Sequence, residues 1–160
     1  KIMEAGEKYT SKMGYYPCMY LTFKDAGLMT YEMMIMQLKT VMMELYFENR
    51  YLLEKAEMSE GEKNIFNKIL GANATDIDLL NSIKMLSKIL YNYYQKPVML
   101  FLDEYDVPLQ NAYVEGYYEE AIKFFKVFYG TTFKDNPYLE KTVITGVSRV
   151  AKESIFSRSK

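Results

Sequence analysis

The sequence predicts an α/β fold: a three-layer αβα arrangement around a short parallel sheet of about three strands. Three observations lead there. Val98 to Leu102 is an unbroken run of five apolar residues, the pattern of a strand buried on both faces by helices. Two further strand-like segments, near 17–23 and 141–146, stand far from it in the chain. The intervals hold helical patterns, and strand, helices, strand, helix, strand is the rhythm of right-handed parallel crossovers.

The first strand, PCMYLTF, is mostly apolar or β-prone and stops at Lys24, Asp25 and Gly27. Thr30 is positioned to cap a helix over 31–56, where Met34, Leu38, Val41, Leu45 and Leu52 keep near-helical spacing. Ser59 and Glu62 have capping-box spacing for a helix over 60–70, with Gly71 at its C-terminal cap. A third helix, near 78–94, turns Ile83, Leu86, Leu90 and Tyr93 inward. Pro97 opens the second strand, 98–102. A fourth helix is expected over 114–129, closed by Gly130, before a loop with Asp135, Asn136 and Pro137. No repeat or low-complexity linker interrupts the pattern, so residues 1–160 read as one domain.

Composition narrows the chemistry. Hydrophobic residues make up 49% and charged residues 26%, ordinary for a globular domain. No apolar stretch reaches the roughly 20 residues that span a bilayer, and no signal-like start is seen, so a cytoplasmic protein is expected. Histidine is absent, which excludes Ser-His and Cys-His catalysis within these residues. The single cysteine, Cys18, excludes an internal disulfide, and its apolar segment predicts a buried, inert thiol. Net charge is −1 with no dense basic run, so the chain carries no direct nucleic-acid signal. The twelve methionines read as core filler on a long helix, and the 16 tyrosines as core rims and helix surfaces.

Polar residues cluster after each strand: Lys24 and Asp25, then Asp103 and Glu104, then Thr145, Ser148 and Arg149. In a parallel sheet these ends share one edge, where open α/β sheets place their chemistry. The run VMLFLDEYDV has the form of a Walker B motif. Asp103 is the candidate ligand of hydrated Mg²⁺, a hard cation that takes one or two carboxylates and keeps several waters. Glu104, diverging to the other face of a continuing strand, is the candidate to orient or deprotonate water. The competing reading is an apolar strand that simply meets solvent in an acidic loop.

Arg149 is a candidate to stabilise charge on a transferring phosphoryl group, or else an ion-pair partner of Glu153. Thr145 or Ser148 could hydrogen-bond a phosphate or the attacking water. Asp25 reads as a turn residue. A nucleotide site of this type also needs a glycine-rich loop ending in Lys-Ser or Lys-Thr, and these 160 residues contain none. A metal-dependent nuclease reading fails on the absence of any Glu-x-Lys triplet.

The stretch from VMLFLDEYDVP through GYYEEA, FKDN and YLEK to TGVSRVAKESIFS resembles the bacterial AAA-ATPase-like family, most densely over residues 97–157. YLTFKD, residues 20–25, looks like that family's preceding strand. The resemblance implies a P-loop NTPase fold with ATP and Mg²⁺ as ligands, Asp103 and Glu104 as the Walker B acids, and Arg149 and Thr145 in the motif after the next strand. It also implies a piece of a larger protein that lacks the phosphate-binding loop, with a nuclease-like domain often following. On that reading the isolated chain is inactive, and its sheet has an unprotected edge open to self-association. The alternative is a regulatory or interaction module that retains the fold without hydrolysing nucleotide.

Overall fold

The computed structural model describes residues 6–11, 13–134 and 136–147. A short helix, α1 (Glu7–Thr10), precedes β1 (Cys18–Thr22). Then come α2 (Tyr31–Glu48), α3 (Leu52–Lys55), α4 (Glu60–Leu70), α5 (Asp76–Tyr94) and β2 (Val98–Asp103). After these follow α6 (Val107–Glu115), α7 (Tyr118–Phe133) and β3 (Leu139–Ile144). The strands form one parallel sheet in the order β1-β2-β3, so the expected α/β class and short parallel sheet are found.

Local chemistry explains most helix boundaries. Thr30 Oγ1 accepts from Met33 N at the start of α2. Ser59 and Glu62 form the expected capping box on α4, and Thr75 and Asp78 form a second one on α5. The helix expected over 31–56 is split. Asn49 Nδ2 donates to the Leu45 carbonyl and Arg50 Nη1 to the Phe47 carbonyl, so side chains satisfy the terminal acceptors and let the chain turn into α3. The helix expected over 114–129 is likewise two helices. Gly116, at φ +85°, closes α6 in the left-handed conformation that glycine adopts without steric cost.

Strand β2 was expected to be buried on both faces, but its burial alternates. Val98, Leu100 and Leu102 are buried, whereas Met99, Phe101 and Asp103 are intermediate. The reason is topological. The strand order advances one way, and two crossovers of the same hand lay their helices on the same face. That face, with Met19, Leu21, Val98, Leu100 and Leu102, packs into the helical core. Phe23, Phe125, Phe128 and Tyr129 form an aromatic cluster in that core, and Tyr46 meets Phe66 at 4.7 Å. The other face carries Cys18, Tyr20, Met99, Phe101 and Val143, brought level by the register of the three strands.

Cys18 is therefore exposed rather than buried, a correction with a simple cause. It occupies the outward phase of an edge strand, and Met19 takes the core position. In β3, one extra residue at Glu140 shifts the register: Val98 pairs with Leu139 but Met99 with Lys141. This puts Val143, and after it Thr145, on the open face beside Phe101 and Asp103. Among the described residues, no helix is long and apolar enough to cross a membrane.

Candidate functional site at the carboxyl edge of the sheet

Asp103 ends β2, the central strand, and its carboxylate is half-buried. The loop after β3 is laced to it. Thr145 N donates to the Leu102 carbonyl (2.9 Å) and Tyr105 N donates to the Thr145 carbonyl (3.2 Å). With its backbone held on both sides, Thr145 directs Oγ1 onto Asp103 Oδ1. Asp103 Oδ1 also accepts from Glu104 N at 3.0 Å, and the Tyr20 hydroxyl stands 3.5 Å from Oδ2, a long and weak contact. Tyr20, Phe101, Leu102, Asp103, Val143 and Thr145 line an open depression of about 220 Å³ on the uncovered face.

Glu104 does not continue the strand as expected. Its φ is +52°, in the left-handed region that non-glycine residues seldom occupy. The chain turns there instead of continuing the pleat, so strand alternation does not set the direction of the Glu104 side chain. The Glu104 carboxylate makes no hydrogen bond or ion pair with the described residues. Such strain at the end of a central strand is typical of residues held for chemistry.

Asp106, to which the sequence reading gave no role, is the most buried acid of the edge at 1% exposure. Its Oδ2 accepts from Gln110 Nε2 (2.7 Å) on α6 and from Val147 N (3.0 Å) in the loop after β3. Beneath it, the Tyr129 hydroxyl donates to the Tyr105 carbonyl at 3.0 Å. Burial, first of all, and then the charge of Asp106 push the pKa of Tyr105 above its ordinary value; burial, Tyr105 and Asp106 do the same for Tyr129. Both hydroxyls therefore stay protonated. The sequence signal for Asp106 was present in the acid two residues beyond Glu104, but only the fold shows what it bonds.

The loop after β1 joins the same edge. The Tyr117 hydroxyl donates to the Leu28 carbonyl, and Asn111 lies directly against Gly27. Asp25 is a turn residue beside Lys24, at 3.9 Å. Of the sequence candidates, Asp103, Glu104 and Thr145 are thus brought together; Arg149 and Ser148 lie outside the described residues.

The donor set fits a hydrated magnesium ion: a half-exposed carboxylate and a hydroxyl, both hard oxygen donors, at the lip of an open depression. Among the described residues, no group of three or more acids or cysteines is arranged to hold a metal directly.

Searches of curated proteins and of solved structures found no match. A family model described as predicted AAA-ATPase matches residues 2–156, almost the whole chain, and the protein belongs to this AAA-ATPase-like family.

Proposed function

We propose that this chain supplies the metal- and water-handling half of a Mg²⁺-dependent ATPase site. Asp103 would hold the hydrated metal through water, and Glu104 would orient the attacking water and accept its proton. Thr145 and Arg149 would contact the phosphoryl group, the hydroxyl by hydrogen bonding and the guanidinium by charge. Bound Mg²⁺ would contribute neutralisation of phosphate charge. The observation that carries the reading is the triad at the strand ends. Asp103 is met by the Thr145 hydroxyl, and next to it stands Glu104, strained and without a hydrogen-bond partner among the described residues. Family membership supports the same nucleotide chemistry.

The test is Glu104→Gln in the full-length gene product. Turnover of ATP should fall by about 10²- to 10⁴-fold, the usual contribution of a general base, while Mg·ATP affinity is kept. Absence of Mg·ATP binding by calorimetry in the unmutated protein would sink the reading. The 160-residue chain, with no glycine-rich loop, should not turn over ATP. Robust hydrolysis by it, lost in Glu104→Gln, would overturn that part.

A second reading, an interaction module of the cytoplasm that does not hydrolyse nucleotide, draws on the uncovered sheet face. Tyr20 is 59% exposed there beside half-buried Met99 and Phe101. Self-association through the sheet would give a mass that rises with concentration, and a strictly monomeric chain counts against it.

A further inference from the structure

Asp106 occupies the N-cap position of α6, where an aspartate ordinarily accepts a hydrogen bond from its own helix. Its side chain makes no such cap. The buried carboxylate is turned instead toward the loop after β3, where it accepts from Val147 N, while Gln110 Nε2 on α6 holds the same oxygen. Burying a carboxylate is costly unless hydrogen bonds compensate, and these two contacts help to hold it in place.

The opposing surface is shaped to receive it. A β-carbon on Gly146 would stand 2.5 Å from Asp106 Oδ1 and 2.6 Å from Tyr105 Cε1. Only a residue without a side chain lets the loop come this close. Thr145 lies immediately before Gly146, and its hydroxyl is the group placed on Asp103.

We infer that Asp106 is a positioning residue: by clamping Val147 N through the gap left by Gly146, it sets Thr145 against Asp103. At 1% exposure it acts through the loop; the inference rests on the proposed ATPase reading for its effect on turnover.

The experiment compares Asp106→Asn, Asp106→Ala and Gly146→Ala in the full-length gene product. It reads amide hydrogen exchange over residues 145–147 and steady-state ATP turnover. Asn keeps a side-chain oxygen for Val147 N–H and Ala does not, so exchange should quicken in the order unmutated, Asn, Ala. Turnover should follow that order, with kcat falling by about 10- to 100-fold in Asp106→Ala, the effect of a displaced group, and KM changing little. Gly146→Ala should reproduce the fast exchange with Asp106 intact. Unchanged exchange at 145–147 in Asp106→Ala overturns the clamp. Faster exchange with unchanged kcat overturns its positioning role. If the unmutated protein does not hydrolyse ATP, the function reading fails separately, and the exchange arm still decides whether Asp106 holds the loop.

Discussion

Gly27 and Asn111 touch so closely that a β-carbon on Gly27 would stand 2.0 Å from Asn111 Nδ2 and 3.0 Å from its Cβ. The contact joins the loop after β1 to α6, the helix that starts three residues after Glu104. Asn111 Nδ2 also donates to the Val107 carbonyl at 3.0 Å, so the side chain cannot swing aside without losing that bond. Gly27→Ala should therefore destabilise the protein by about 1–3 kcal/mol, the usual range for overpacking. Urea unfolding checks it. In an Asn111→Ala background the same substitution should cost much less; an unchanged cost would mean the strain lies in the backbone.

Glu104 pays for its left-handed backbone in stability. A non-glycine residue there costs roughly 1 kcal/mol, so Glu104→Gly should leave the unfolding midpoint unchanged or raise it. The same substitution should abolish ATP turnover by the full-length gene product. A fall of more than about 1 kcal/mol in urea unfolding would show instead that the carboxylate helps hold the fold together.

Glu62 links α4 to α5 and should shape the acid limb of stability. Its Oε1 accepts from Lys88 Nζ at 2.9 Å, and its Oε2 accepts from Ser59 N and Oγ, each at 2.8 Å. The hydrogen bond from Lys88, then that from the Ser59 backbone, hold its carboxyl below the ordinary value of 4.5 against the opposing effect of burial. Because the folded value is depressed, the contribution is complete above pH 4.5 and disappears as pH falls through the folded value. Glu62→Gln should lower stability by about 1 kcal/mol at pH 7 and by progressively less below pH 4.5, as read by urea unfolding. A difference that stays constant down to acid denaturation would contradict the linkage. Lys88, raised chiefly by its hydrogen bond to Glu62, contributes in the opposite sense: fully below 10.5, lost as pH climbs through its folded value.

Thr132, 1% exposed on α7, has a hydroxyl with no partner among the described residues. A buried unsatisfied hydroxyl costs about 1–3 kcal/mol. Thr132→Val, which keeps the shape, should stabilise the protein by about 1 kcal/mol in thermal or urea unfolding. Destabilisation would mean that the hydroxyl has a partner in solution.

Much of the fold was legible because its signals are local. The capping box of Ser59 and Glu62 involves residues three apart, and the apolar run ending at Asp103 marks a strand and its polar end without any distant information. The split helices were missed for a different reason. Asn49 and Gly116 end helices through their own conformations and hydrogen bonds, which compete with an apolar spacing that runs straight across them. Cys18 was misplaced because an apolar pentamer does not reveal whether one face of its sheet is covered or two.

The sequence by itself determined that an acid pair ends an apolar strand, and that imidazole and intrachain disulfide chemistry are absent from these 160 residues. It also carried the resemblance to the AAA-ATPase-like family. Only the tertiary structure decided what the neighbours of that pair are. Thr145 reaches Asp103 across 42 residues of chain, and Val147 reaches Asp106 across 41. The physical reason is that strand order and register, not local pattern, bring those ends level, and the room left by Gly146 exists only once β2 and β3 are paired.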